Sequence, residues 1–142
     1  MGLAAKDRLG VDVKSTEVAL MAAKAEALRP FGLSVAQYAV LLTLRDHPGI
    51  SGAGIARACL VTPQATAATL KVLEEKSLLT RALDDWNRAS RPARLTAEGE
   101  RVVAAADAAA SAIEQRVHDA LTSQQRAALR HLLGRCREAI ER

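Results

Sequence analysis

Two short helical patterns follow each other across a gap of two residues, and this pair limits the possible folds more than any other feature of the chain. The first, SGAGIARAC, begins at Ser51, and the second, TPQATAATLKVLEEK, begins at Thr62 and Pro63, so that only Leu60 and Val61 separate them. Serine and threonine favour the N-cap of a helix, and proline favours its first turn. Two short helices joined by so tight a turn form a helix-turn-helix.

The segments on either side of this pair also have helical periodicity. Aromatic residues make up 2% of the 142 residues, which favours packed helices over sheets, because strands prefer aromatic and β-branched side chains. Helical patterns cover about 11–29, 34–47 and 97–119. Thr122 and Gln125 form a capping box that begins a last helix. A chain of this length forms one domain by default.

A β-hairpin follows the helix-turn-helix. The runs LLTRAL and SRPARLT flank the polar tip LDDWNRA, and this order predicts two short strands with a long connection. The fold class is therefore mainly α with a small β-hairpin wing. We predict a winged helix-turn-helix lobe at 33–96 and a helical dimerisation region at 11–32 and 97–142.

The helix that begins at Thr62 is predicted to have two different faces. Thr66, Leu70 and Leu73 lie on one side and would pack on the core. The opposite side consists mostly of small side chains, which suits a helix that enters the major groove of DNA, about 12 Å wide. Glutamine can bond to both the donor and the acceptor of adenine, and alanine can contact the thymine methyl group. A solvent-facing helix made of good helix formers is the alternative.

The wing adds positive charge next to this helix. Three arginines and no acidic residue lie between Arg88 and Arg94, and the chain has a net charge of +4. Such a hairpin can bind the DNA backbone or the minor groove, although a solvated loop is the alternative. The predicted DNA-binding residues are Ser51, Thr62, Pro63, Gln64, Ala67, Ala68, Lys71, Arg88 and Arg91.

Two helices near the C-terminus have apolar stripes that predict a dimer. In the long helix the stripe repeats at coiled-coil spacing, and its alanines would allow a partner helix to come close. In the last helix the leucines share one face. The predicted dimerisation residues are Val103, Ala110, Ile113, Val117, Leu129, Leu132 and Leu133.

Several other functions are not expected. There is no Gly-rich phosphate loop, nucleophile elbow or clustered carboxylate pair, so the chain is predicted not to be an enzyme. The three histidines lack the paired spacing of metal ligands, and neither a metal nor another cofactor is expected. Cys59 and Cys136 are expected to be buried and inert. Without a long apolar run the chain is predicted to avoid membranes and to be cytoplasmic.

The order of these motifs resembles the MarR family of winged helix-turn-helix transcriptional regulators. The resemblance covers nearly the whole chain, through LSVAQYAVLLTLRDHPGISGAGIARACLVTPQATAATLKVLEEKSLLTR and RLTAEGERV. It implies an obligate homodimer on a palindromic DNA site, often a repressor released by a small aromatic ligand, an oxidant or a metal. Ala67 and Ala68 depart from the Thr-Arg pair common in the family, and Ser77 replaces its glycine. A helical protein–protein interaction module without DNA binding is the alternative from another class.

Overall fold

The computed structural model of the chain describes residues 2–82 and 92–142. In these residues six α-helices are joined by short turns, and two short strands pair beside them. The predicted fold class, mainly α with a β-hairpin wing, is confirmed. The helices are α1 Gly10–Leu28, α2 Val35–Asp46, α3 Gly52–Cys59, α4 Pro63–Glu75, α5 Ala97–Asp119 and α6 Ser123–Ile140, and the strands are β1 Leu79–Arg81 and β2 Ala93–Leu95.

Local sequence signals explain where the helices begin. The Ser34 hydroxyl accepts a hydrogen bond from the Gln37 N–H, and the Gln37 side chain accepts one from the Ser34 N–H, which completes a capping box on α2. Thr122 and Gln125 form the same pair of bonds at the start of α6, as predicted. Each box satisfies N–H groups that have no partner inside the helix.

By packing, the chain divides into two compact units, Met1–Ala110 and Ser111–Arg142, with the division inside α5. The first unit holds a core that is built around α2. The division into a winged lobe and a dimerisation region was drawn by function and stays a prediction. The core residues are Leu28, Leu33, Tyr38, Val40, Leu41, Leu44, Ile55, Leu70, Leu73, Leu78, Leu79, Ala93, Val103, Ala106 and Ala110.

The burial of α5 corrects part of the predicted dimerisation set. Val103 is 0% exposed and Ala110 is 1% exposed in the single chain, because both side chains pack into the core of the first unit. They are therefore not available to a partner helix. A repeating apolar stripe has the same spacing whether it faces its own chain or another, so the periodicity alone did not separate the two cases.

The rest of the predicted set lies in the second unit, the helical hairpin of α5 and α6. Ile113 is half-buried there. The other four side chains are more exposed than large apolar groups usually are. Their exposed fractions are 47% for Val117, 42% for Leu129, 51% for Leu132 and 37% for Leu133.

The two cysteines are more accessible than the sequence predicted. Cys136 is exposed in α6, and Cys59 is half-buried, with its Sγ 3.5 Å from Thr43 Oγ1. The expectation of two buried thiols is therefore wrong for Cys136, because the apolar face of α6 on which it lies is uncovered in the single chain.

No single helix in the described residues is long and apolar enough to cross a membrane. The segments Gly10–Phe31 and Val35–Asp46 reach that length and composition only as a pair, bent by 76°. Much of the apolar surface of the second segment belongs to the core of the first unit.

Within the first unit, the base of the wing is joined to the start of α5 through a close backbone contact. Strand β1 pairs antiparallel with β2, and Leu79 lies opposite Leu95. At the base of the pair, the Thr96 N–H donates to the Leu78 carbonyl at 3.1 Å. Gly99, in the first turn of α5, lies directly over the same carbonyl, and a Cβ at this position would be 1.9 Å from the Leu78 oxygen. Only glycine allows this approach.

Candidate DNA-binding surface

The turn between α3 and α4 sets the position of the second helix. Leu60 ends α3 in the left-handed region, with φ of 57°, and the Val61 N–H donates back to the Ala56 carbonyl at 3.1 Å. This arrangement closes the C-terminus of α3 in a single turn. The Leu60 side chain is 92% exposed, so core packing does not explain its conformation. The tight closure leaves only Val61 and Thr62 before α4 begins.

Helix α4 has a capped and uncharged beginning. The Thr62 hydroxyl accepts from the Ala65 N–H at 3.1 Å, and Pro63 occupies the first turn. The first turn contains no acidic residue. The exposed amide end of the helix therefore keeps its partial positive charge, which favours a phosphate group.

The two faces of α4 are those predicted. Thr66, Leu70 and Leu73 are at most 1% exposed and pack inward. The Thr66 hydroxyl donates to the Thr62 carbonyl at 3.1 Å, so this buried polar group is satisfied. On the opposite side the predicted reading residues are all exposed, namely Gln64, Ala67, Ala68 and Lys71. Their prediction as DNA contacts stays a prediction.

Ser51 and Thr62 have a structural role that the sequence also indicated. The Ser51 hydroxyl accepts from the Gly54 N–H at 3.1 Å and caps α3, just as Thr62 caps α4. A hydroxyl that accepts one hydrogen bond still has its own proton to donate. Both exposed side chains can therefore cap a helix and donate to a phosphate oxygen at the same time.

Further basic side chains in the described part of the chain lie near the helix-turn-helix, among them Arg57 and Arg94. Arg57 is exposed on α3, and Arg94 is exposed on β2. The Arg94 guanidinium lies against the backbone of Gly49, which has φ of 80° and whose N–H donates to the Ala93 carbonyl at 3.3 Å. The predicted wing residues Arg88 and Arg91 lie outside the described residues.

The far end of α4 is fastened to the corner between α1 and α2. The Lys76 ammonium donates to the Gly32 carbonyl at 3.0 Å and to Gln37 Oε1 at 3.3 Å. Ser77 follows with φ of 59°, in the left-handed region that favours glycine. The sequence marked this exit as a departure from the family pattern, but it did not predict the contact to the corner.

Sequence reasoning missed a polar network between α2 and α5. Asp107 Oδ1 accepts from the Tyr38 hydroxyl at 2.5 Å, and Asp107 Oδ2 accepts from Arg45 Nη2 at 3.0 Å. The hydrogen bond from Tyr38 is the main cause that lowers the pKa of Asp107, and Arg45 adds to it. In turn, the hydrogen bond to Asp107 raises the pKa of Arg45.

One signal in the sequence pointed to this network. Asp107 interrupts the most apolar stretch of the chain, and it lies four residues after Val103 and three before Ala110. That spacing places a carboxylate on the same helix face as two buried residues. A carboxylate on a buried face needs partners, because its burial without them is costly. The sequence did not show that the partners are on α2, more than 60 residues away.

Metal binding receives no support from the described residues, in which no three His, Cys, Asp or Glu side chains come together. His118 lies 3.2 Å from the neighbouring carboxylate of Asp119, and this pair is exposed on α5.

Known proteins are similar to this chain in both sequence and fold. A family model described as MarR family matches residues 31–85. The HTH-type transcriptional repressor Rv2887 of Mycobacterium tuberculosis is 34% identical over 133 residues, which cover 94% of this chain and 96% of the repressor. The crystal structure of Rv2887 with salicylic acid aligns with a TM-score of 0.69 at 32% identity, over 94% of this chain and 99% of that chain. The structure of Rv2887 with DNA aligns with a TM-score of 0.68 at 30% identity, over 91% and 97%.

Proposed function

The chain belongs to the MarR family of transcriptional regulators, and from this premise we propose that it represses transcription as a homodimer on a palindromic operator. It is a DNA-binding regulator with a winged helix-turn-helix lobe. A small aromatic acid is the proposed effector that releases the DNA.

The exposed face of α4 is the observation that carries this proposal. Gln64 is next to the capped, acid-free start of the helix, and Lys71 lies two turns further along the same face. The alanines between them allow the helix to approach the base edges closely. A glutamine at this place can discriminate a base pair, and a lysine can bind a phosphate.

Exposed apolar residues support the homodimer. In the first unit Val11, Val13 and Val18 are 72%, 54% and 53% exposed, although they lie within the regular helix α1. In the second unit α6 exposes its leucine stripe. Soluble monomers rarely expose so many large apolar side chains on regular helices, and such surfaces mark protein interfaces. A second copy of the chain fits the proposal, because a two-fold dimer presents two α4 helices to one palindrome.

The effector proposal comes from a relative. The repressor Rv2887 has been crystallised with salicylic acid, a small aromatic acid. The share of both chains covered in that alignment supports the same ligand class for this chain. Binding that differs between the DNA-bound and DNA-free states would shift operator affinity by that difference.

Selection of bound duplexes from a random pool tests the DNA-binding part of the proposal. Two half-sites about 10 base pairs apart, or a multiple of this distance, are expected, because both α4 helices face one side of the duplex. The enriched duplex then serves in titrations at several salt concentrations. A pool that yields no enriched sequence, together with binding that does not depend on salt, would instead favour the protein–protein interaction module.

Two variants separate base reading from backbone binding. Gln64→Ala is expected to cost about 1–3 kcal/mol on the operator and to relax the preference at one base pair per half-site. Arg88→Ala is expected to weaken binding to all sequences and to lower the salt slope by about one unit per contact. Glu75→Gln is the matched control, because Glu75 is exposed at the opposite end of α4. Equal losses for Gln64→Ala on operator and random DNA would contradict base reading by Gln64.

A third titration tests the effector. Salicylic acid added to the protein–operator complex is expected to lower operator affinity, and benzyl alcohol serves as a probe without the carboxylate. An operator affinity that is the same with and without salicylic acid and related aromatic acids would contradict the sensor part of the proposal and would leave the DNA-binding part intact.

A further inference from the structure

Helix α5 contributes an apolar face to the core of the first unit, and one directional polar network joins it to α2. Next to Asp107, the buried face of α5 consists of Val103, Ala106 and Ala110, which are at most 1% exposed. Dispersion contacts between such side chains are individually small and have no preferred bond direction. The direction of α5 along this face therefore depends also on directional contacts.

The hydrogen bonds to the Asp107 carboxylate restrain the direction of α5. Tyr38 and Arg45 are seven residues apart on α2, which places them on one face about 10 Å apart along the helix axis. Both reach the same carboxylate, one at each oxygen, with distances of 2.5 Å from the Tyr38 hydroxyl and 3.0 Å from the Arg45 guanidinium. A carboxylate held from two sides cannot rotate with its helix without loss of one of these bonds.

The surroundings of the network increase its effect. Tyr38 is 7% exposed, and the side chains of Arg45 and Asp107 are 32% and 29% exposed. Arg45 Nε also lies 3.6 Å from Asp46 Oδ1, so the guanidinium is held by two acidic groups. Hydrogen bonds to charged groups in such partly buried places are stronger than exposed ion pairs.

We infer that Tyr38, Arg45 and Asp107 are positioning residues that fix the direction of α5 relative to the winged lobe and thereby set the half-site spacing that the dimer accepts. This inference rests on the proposed function. Helix α2 belongs to the same core as the recognition helix α4. Helix α5 is continuous from the base of the wing at Ala97 to Asp119, in the helical hairpin whose apolar stripe is the proposed dimer surface. A change in the direction of α5 would move one α4 helix relative to the other.

DNA spacing gives a readout that a merely stabilising role would not change. Each added base pair rotates the second half-site by about 34°, because one turn contains about 10.5 base pairs. A rigid dimer should therefore bind its selected operator well and bind operators with one base pair added or removed poorly. A dimer whose lobes are less restrained should tolerate these operators better, whatever its overall affinity.

The experiment measures operator affinity across a series of spacings for the wild type and for Tyr38→Phe, which removes only a hydroxyl. The ratio of affinities between the selected spacing and the spacings one base pair away is expected to fall by at least about fivefold in the variant. Arg45→Gln is the second variant, since Arg45 is about a third exposed and its replacement threatens folding less. Glu98→Gln is the matched control, because it breaks an ion pair to Arg101 that lies entirely within the exposed side of α5.

The outcomes separate this inference from the function on which it rests. A wild-type protein that binds no duplex would refute the proposed function and the inference together. A wild type that binds all spacings alike would refute the inference alone. So would variants that fold and lose affinity by the same factor at every spacing, because the network would then only stabilise the lobe.

Discussion

Replacement of Gly99 by alanine should damage the joint between the wing and α5 more than any other single methyl group added to a glycine of the described chain. The new Cβ would lie 1.9 Å from the Leu78 carbonyl oxygen and 3.0 Å from the Leu78 carbonyl carbon. Contact between a methyl group and an oxygen requires more than 3 Å. The obstacle is backbone, so no side-chain rotation relieves the clash. Either α5 or the strand entrance must move by more than 1 Å.

The expected magnitude follows from what this movement breaks. The Leu78 carbonyl accepts from the Thr96 N–H at 3.1 Å, and the Thr96 hydroxyl donates to the Ser77 carbonyl at 2.7 Å. Loss of both hydrogen bonds costs about 1 kcal/mol each. Overpacking adds about 1–3 kcal/mol, and the better helix propensity of alanine returns about 1 kcal/mol. The net loss is therefore about 2–4 kcal/mol.

Urea unfolding of Gly99→Ala measures this loss against a matched control. Gly134 is inside α6, where an added Cβ would meet only Arg137 Nη2, at 3.9 Å. It also lies about 140° around the helix from the leucine stripe, at 100° per residue, away from the proposed dimer surface. Gly134→Ala should therefore stabilise the protein by up to about 1 kcal/mol. A Gly99→Ala protein as stable as the wild type would refute the reasoning, since the close approach of Gly99 to Leu78 would then be unnecessary.

Three further predictions concern other parts of the chain. Ser77→Gly should raise the free energy of unfolding by about 0.5–1 kcal/mol, because it removes the left-handed strain of a non-glycine residue, and thermal unfolding would test it. Asp107→Asn should lose most stability near neutral pH: the lowered pKa of Asp107, caused first by Tyr38, gives stability above the ordinary carboxyl value of about 3.9 that disappears as pH falls through the lowered pKa. The difference in unfolding free energy between the wild type and the variant should therefore be smaller at pH 3 than at pH 7, and a constant difference would contradict the assignment. Leu132→Asp should convert the dimer into a monomer in sedimentation while Glu138→Gln does not, because only the first places an unpaired charge on the proposed seam.

The features predicted correctly from the sequence depend on neighbours along the chain. The N-caps at Ser34, Thr62 and Thr122 are local, since each hydroxyl accepts from an N–H three residues later. The inward and outward faces of α4 follow from helical periodicity. The N-caps of these helices and the buried and exposed faces of α4 could therefore be derived without knowledge of the fold.

The features that were missed depend on residues far apart in sequence. Gly99 must be glycine because of a carbonyl 21 positions earlier, at Leu78. Asp107 acts with Tyr38, 69 positions away. Periodicity also could not decide which surface covers a stripe, so Val103 and Ala110 were assigned to a partner although their own core covers them. The sequence holds these signals, but their meaning requires the three-dimensional neighbours.

The outward face of α4 carries few side chains that can read a base, and this limits how sequence specificity for DNA can arise. Gln64 is the one side chain among the four outward residues that can read a base by paired donor and acceptor, which gives about 1–3 kcal/mol per half-site and about 2–6 kcal/mol per dimer. Specific binding usually exceeds non-specific binding by about 4–10 kcal/mol. Lys71 adds little to the difference if it binds a phosphate, because phosphate contacts carry no sequence information.

The rest of the free-energy difference between specific and non-specific DNA binding must come from interactions that do not require long side chains on α4. Alanine contacts to thymine methyl groups and the shape of the DNA supply part of it. The separation of the two half-sites supplies another part, because a dimer with rigid lobes loses its second set of contacts when the spacing is wrong. A regulator with few base-reading groups therefore depends strongly on the direction of α5. For the same reason, an effector that changes lobe spacing can release such a protein from its operator without any contact to α4.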